Sequence, residues 1–353
     1  MRESTNLDFL RAVAVLAVYF AHLSHALDLY NPGSLGRFGV LIFFVHTSCV
    51  LMFSLQRLSS SGFTNDWRLT AAFWIRRFFR IYPLSIICVL MVPLFHIPPE
   101  ANGTYVWPGA WNFLSNLALT QSLTFSDSVL APLWSLPLEV QMYILLPFLY
   151  FVIRAKRYRS LALWVASVFV AATVPNVVAR LSVLYFAPCF VAGVVAFDLQ
   201  RTARWKMPAW LWPVILLLAI VLFGPLDNIH LMAKMHRAWA LSLLLGLAIP
   251  YSKEMNVPAI KKVSHWIAKY SYGIYLSHTI VFWAAIDLMR GFHAWQRALI
   301  LLIGSIGAPI AMYHWIEDPL IKIGARLANS LRERTEPVAE AVAVESSGSV
   351  VAR

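Results

Sequence analysis

The sequence predicts an all-α fold: a polytopic transmembrane helical bundle of about ten spans. Three observations predict it. Of 353 residues, 59% are hydrophobic and only 13% charged, too little charge to cover a soluble domain of this length. Apolar runs of about 17–25 residues, the length that crosses a hydrocarbon core as helix, recur along the chain, and the mean hydropathy is +0.66. Lys and Arg cluster in alternate loops, the pattern that marks cytoplasmic loops.

The spans fall at residues 7–27, 36–56, 78–97, 133–153, 160–177, 183–199, 209–226, 236–251, 270–290 and 297–316. The first carries Asp8, Arg11, His22 and His25 and is followed by further spans, so it reads as a retained span rather than a cleaved signal peptide. Arg57, Arg68, Arg76, Arg77 and Arg80 follow the second span, and Arg154, Lys156, Arg157 and Arg159 the fourth. Arg201, Arg204 and Lys206 follow the sixth, Lys253, Lys261, Lys262 and Lys269 the eighth, and Lys322, Arg326, Arg332 and Arg334 the tenth. Lys234 and Arg237 are the main exception on the other side. The positive-inside rule then places both termini in the cytoplasm. The net charge of +12 is distributed as topology requires, which excludes nucleic acid as its partner; the partner is the bilayer.

Residues 98–132 break the count. Pro98, Pro99, Asn102-Gly103, Trp107 and Pro108 mark an outer loop with an interfacial anchor. The apolar stretch near 110–125 is interrupted by Asn112, Ser115, Asn116, Thr120 and Gln121. Counted as a span it would invert every later loop, so a re-entrant or outer-leaflet helix is expected. Residues 1–320 form the membrane domain and 321–353 a cytoplasmic tail, disordered from about Arg332 by composition. Cys49, Cys88 and Cys189 lie inside apolar runs as core residues. No spacing resembles a metal site.

Ionisable groups inside spans are costly and need a partner, a cavity or a function. Arg11 and His22 lie eleven positions apart, on nearly one helix face and roughly 16 Å apart along the axis. They read as the wall of a buried channel, Arg11 on the cytoplasmic side and His22 in the outer half. Arg77 and Arg80 share a face where the third span leaves the cytoplasm. They serve either as topology anchors or, beside Arg11, as guanidinium forks for a polyanion such as phosphate. Glu139 enters from the outer side at about the depth of His22. It either satisfies free amides in the first turn of its helix or fixes the tautomer of an imidazole and raises its basicity. His278 is a candidate cavity liner. Tyr and Ser in the stretch Ser271–Ser277 serve interhelical packing and hydrogen bonding, and Glu317 and Asp318 pair with basic loops. His46 shows no motif.

In order, Leu7-Asp8-Phe9-Leu10-Arg11 with His22, Phe43-Phe44-Val45, Arg77-x-x-Arg80-Ile81-x-Pro83, Leu133-Trp134-Ser135-Leu136 with Glu139 and Tyr143, Ser271-Tyr272-Gly273-Ile274-Tyr275-Leu276-x-His278 and Ile316-Glu317-x-Pro319 resemble the integral-membrane acyltransferase-3 family. Six motifs in order and register cover residues 7–320. The sequence departs at His46-Thr47-Ser48-Cys49, where many members carry Ile-Ser-Gly-Phe, and at Ala12, where Gly is usual. The resemblance implies a multi-pass protein of a bacterial-type inner membrane, similar to short exopolysaccharide and cell-envelope O-acetyltransferases. It implies transfer of an acyl group, commonly acetyl from acetyl-CoA, to a hydroxyl of an extracytoplasmic or lipid-linked glycan, with no permanently bound cofactor. Arg11, Arg77 and Arg80 would hold the acyl-CoA, His22 would act as general base with Glu139 orienting it, and Tyr143, Tyr275 and His278 would line the cavity. A glycan or lipid transporter without acyl chemistry is the alternative; the absence of internal repeats and of paired broken helices speaks against it.

Overall fold

The computed structural model describes residues 4–29, 33–63, 65–155, 159–177, 179–224 and 231–332. Expectations for Lys156, Arg157, Arg334 and the tail from 333 onward lie outside them. The described residues form helices α1 (Thr5–Ala26), α2 (Gly33–Ser60), α3 (Asp66–Phe95), α4 (Ala110–Leu117), α5 (Gln121–Thr124), α6 (Leu136–Ala155) and α7 (Arg159–Val177). After these come α8 (Ala187–Gln200), α9 (Leu211–Phe223), α10 (Leu231–Tyr251), α11 (Pro258–Trp283), α12 (Ala294–Met312) and α13 (Asp318–Ser330). Among the described residues β-structure is confined to one isolated bridge, Met207 to Ser252.

Each expected span falls on a helix, but the count is corrected. Six stretches are long and apolar enough to cross a membrane: Thr5–Ala26, Ser34–Ser60, Asp66–Phe95, Ala131–Arg154, Val183–Gln200 and Ala294–Ser330. Within the described residues the apolar stretches Arg159–Val174 of α7 and Leu211–Phe223 of α9 are shorter than these six. The runs of α10 and α11 are diluted by Lys234 and Arg237, and by Lys261, Lys262 and Lys269. The protein is thus a helical, multi-pass membrane protein with six such stretches among the described residues rather than the expected ten.

Local chemistry sets the helix ends. Ser4 caps α1 by accepting from the Leu7 amide, and Asp8 occupies the first turn, where the helix dipole favours a carboxylate. Asn65 caps α3 through the amides of Trp67 and Arg68. Buried side chains fill 78% of the most apolar window of Ser34–Ser60 but only 6% of that of Ala294–Ser330. So α2 is the central post and α12 faces outward. Two glycines let helices reach α2. A Cβ on Gly39 would lie 2.7 Å from the Ala14 carbonyl oxygen of α1, and one on Gly193 of α8 would lie 2.1 Å from both Ser48 Oγ and the Val45 carbonyl oxygen.

Contacts sort the loops to two ends. At one end Ser4 donates to Glu254 (2.7 Å), Arg154 makes a two-pronged pair with Asp66 (2.8 and 2.7 Å), Met207 donates to Tyr251, and Arg76 donates to Asn329. This end gathers the basic loops and both described termini. At the other end His25 contacts Glu100, and Asn102 reaches Ala26 and Asp287. The Ala131 amide donates to the Pro99 carbonyl (3.0 Å), so the chain leaves and returns at this same end between α3 and α6. Within that excursion α4 and α5 have 8 and 4 residues, far below a crossing, and left-handed residues at Leu119 and Phe125 turn the chain out of each.

The described part of the expected tail from 321 is helical as far as Ser330. Residues 318–330 form α13, whose Gly324 lies against Phe79 and whose Ala328 is fully buried. An apolar stripe on an otherwise polar helix needs a surface to cover, and α3 provides it.

Candidate functional site

Four helices deliver polar groups to the inside of the bundle, and a fifth closes it. α1 brings Arg11, α3 brings Arg77 and Arg80, α6 brings Glu139 and Tyr143, and α11 brings Ser271, Tyr272 and Tyr275. All line one cavity of about 90 Å³, closed by Val40, Phe43, His46, Thr47, Val50 and Leu51 of α2. The arginine cluster and both tyrosines expected at the site therefore meet.

Their partners differ. Arg11 Nε donates to Ser271 Oγ (2.5 Å), which donates onward to the Ala268 carbonyl. Arg80 is paired with Glu317, which is 2% exposed, and its guanidinium lies 5.4 Å from the centre of the Tyr272 ring. Arg77 touches the Phe73 ring face, 5.8 Å away, and its buried Nε has no partner. Among the described residues, Arg80 alone of the three has an ion-pair partner. Three guanidiniums face two carboxylates, Glu139 and Glu317, leaving one positive charge in excess. An unpaired buried donor costs about 1–3 kcal/mol, which an anion would offset.

Glu139 occupies the first turn of α6 and accepts from Tyr143 Oη one turn later (2.6 Å). It lies within the electrostatic reach of Arg11 and Arg80. The expected pairing of Glu139 with His22 is not formed. His22 opens instead into a second cavity of about 300 Å³, with His25, Arg37, Glu100, Ala131, Trp134 and Tyr275. The carboxylate there is Glu100, whose Oε2 lies 3.2 Å from His25 Nε2.

The expected single channel is likewise corrected. Val40 and Tyr275 line both cavities, so the two meet at a wall. Tyr275 is held rigidly: its hydroxyl donates to the Pro132 carbonyl (2.8 Å) and accepts from Ser135 Oγ (2.7 Å). His278 lines neither cavity. It is 1% exposed and packs edge-on against His22, ring centres 5.1 Å apart.

Sequence reasoning missed His46, which belongs to no motif yet lines the arginine cavity with a buried, unpartnered Nδ1. Its place next to Phe43-Phe44-Val45, at a departure from the family pattern, was the available signal. Glu317 does pair with a basic residue, but with Arg80 inside the bundle, and Asp318 pairs with Lys322 of its own helix (2.6 Å).

A family model described as an acyltransferase domain matches residues 4–314. The chain is 27% identical to Acyltransferase MdmB of Streptomyces mycarofaciens, over 91% of this chain and 92% of that protein. It is 29% identical to Peptidoglycan O-acetyltransferase OatA of Listeria monocytogenes, over 40% of this chain and 23% of that protein. No solved structure matches.

Proposed function

The chain belongs to this acyltransferase family, and we propose that it is a membrane-embedded O-acyltransferase acting between cytoplasmic acyl-CoA and a hydroxyl of an extracytoplasmic or lipid-linked glycan. The basic end of the bundle, where the described residues begin and end, faces the cytoplasm. Acetyl is the acyl group favoured by the likeness to a peptidoglycan O-acetyltransferase.

One observation carries the reading: three arginines with a positive charge in excess converge inside the bundle, next to a second cavity that holds an imidazole. Arg77 and Arg80 receive phosphate oxygens of the donor, and Arg11 guides the pantetheine arm inward. That arm is comparable in length to the roughly 16 Å that separate Arg11 from His22 along α1. Glu139, held by Tyr143, balances the cluster so that it releases the spent anion. In the outer cavity His22 takes the proton of the acceptor hydroxyl. The oxygen attacks the thioester carbon, the C–O bond forms, the C–S bond breaks, and the proton passes from His22 to the departing thiolate. Positioned proton transfer of this kind contributes about 10²–10⁴-fold.

The test is free-thiol release by the purified protein in nanodiscs, given acetyl-CoA and a panel of peptidoglycan fragments, exopolysaccharide and lipid-linked oligosaccharide. Thiol release tied to acetylation of one panel member, falling by at least 100-fold in His22→Ala, is expected. Acceptor movement across a vesicle membrane without thiol release would identify a transporter instead, and near-wild-type turnover by His22→Ala would remove the base.

A further inference from the structure

His278 is a buried polar group beside His22 that the mechanism above leaves unused. Its Nδ1 lies 3.1 Å from the Ile274 carbonyl oxygen, one turn back on α11. A carbonyl only accepts, so Nδ1 carries the hydrogen. No carboxylate touches the ring, and at 1% exposure a second proton would be an unpaired buried charge, which is costly. The tautomer is thereby fixed: Nε2 is a bare acceptor. It is buried and has no partner.

Around it stands a box of rings. Tyr19, Tyr275 and Phe282 lie with centres 6.3, 6.2 and 5.5 Å away, and His22 is the nearest at 5.1 Å, tilted by 68°. The Tyr275 hydroxyl already donates to Pro132, and Tyr19 Oη is engaged with Ser305 Oγ at 2.7 Å. Phe282 has nothing to donate. Among these four rings, His22 alone carries a polar group with no hydrogen-bond partner among the described residues.

We propose that His278 is the positioning residue for His22: with the neighbouring ring turned so that one N–H meets it, Nε2 accepts that N–H and presents the other His22 nitrogen, bare, to the outer cavity. This rests on His22 being the base. It gives His278 the orienting task that the sequence assigned to Glu139, which the structure places in the other cavity. An imidazole whose distal N–H is held keeps one tautomer and one ring orientation through the proton transfer.

Two variants separate positioning from packing. His278→Phe fills the aromatic box without an acceptor; His278→Gln offers an amide oxygen. In the nanodisc assay with acetyl-CoA and the panel glycan acetylated fastest, His278→Phe is expected to lower kcat by roughly 10- to 100-fold with the acetyl-CoA KM unchanged, and His278→Gln to recover most of the loss. A second readout needs no acceptor: the rate at which diethyl pyrocarbonate modifies His22, followed by mass spectrometry, falls in His278→Phe and is restored in His278→Gln. Wild-type kcat and labelling in His278→Phe, or equal losses in both variants, would overturn the proposal. If His278→Phe fails to fold, the labelling rate in His278→Gln against His278→Asn, whose shorter amide falls short of His22, decides by the same criterion. A dead His22→Ala beside fully active His278 variants sinks only this inference, whereas an active His22→Ala sinks the base itself.

Discussion

Arg77 and Arg80 share a helix face yet stand in opposite electrostatic states, and that difference can be measured. Arg80 is matched to the nearly inaccessible Glu317, so Arg80→Ala strands a buried carboxylate, a change that costs about 3–5 kcal/mol. Arg77 has no carboxylate to strand. Arg77→Ala should leave the thermal midpoint close to wild type while raising the acetyl-CoA KM by about 10- to 100-fold, the worth of one or two charge-assisted hydrogen bonds. Arg80→Ala should lower both stability and donor affinity, and adding Glu317→Gln should restore the stability alone. Thermal melts beside KM values for the three variants check this; a fully restored KM in Arg80→Ala/Glu317→Gln would show that Arg80 serves only its ion pair. The arginines were legible because 3- and 11-residue spacings fix a helix face whatever the tertiary context. Glu139 was not, because depth along a helix says nothing about which side of a wall a carboxylate faces. His46 was hidden for a related reason: a lone histidine in an apolar run reads as core until the neighbouring helices are in place.

The α2–α8 contact shows how a departure from the family pattern is absorbed. At the position where the resemblance noted from the sequence expects glycine, this chain has Ser48, whose hydroxyl turns back to the Phe44 carbonyl (2.7 Å) and satisfies itself within α2. The room it takes is left by Gly193 on the facing helix, where a Cβ would collide with both Ser48 Oγ and the Val45 backbone oxygen. Gly193→Val must push α8 off the central post, and overpacking of this kind costs about 1–3 kcal/mol. A lower thermal midpoint of the detergent-solubilised protein is expected. Ser48→Ala should not rescue it, because the backbone carbonyl still blocks; rescue would mean the serine alone sets the spacing. Helix positions were readable from apolar run length, and the charge rule kept residues 98–132 out of the span count. The number of self-sufficient spans was not readable, since the short α9 and the charge-diluted α10 and α11 depend on neighbours rather than on their own composition. Nor was α13: its apolar stripe is narrow, and only the surface of α3 around Phe79 gives it something to cover.

The bundle places its two cavities side by side with a wall between them, so under the proposed mechanism leakage becomes a property of the whole fold. The arginine cavity of about 90 Å³ holds only about three waters, so a thioester arm passing from it to His22 must displace the Val40–Tyr275 wall. Tyr275 is tied to Pro132 and Ser135 at the head of α6, in the segment that joins the outer excursion to the bundle. Val40 is the softer half, anchored only by packing. Trimming it should open a water path before the acceptor is in place: Val40→Ala is expected to raise acetyl-CoA hydrolysis without acceptor several-fold relative to transfer. Enlarging it should close the passage: Val40→Trp is expected to cut transfer by at least 10-fold while the acetyl-CoA KM stays within about twofold, since the arginines lie upstream of the wall; the overpacking itself costs about 1–3 kcal/mol or more. Both rates come from one thiol-release assay run with and without glycan. Undiminished transfer by a folded Val40→Trp enzyme would mean that donor and acceptor meet by a route avoiding this wall, and the series arrangement of the two cavities would then have no part in the reaction.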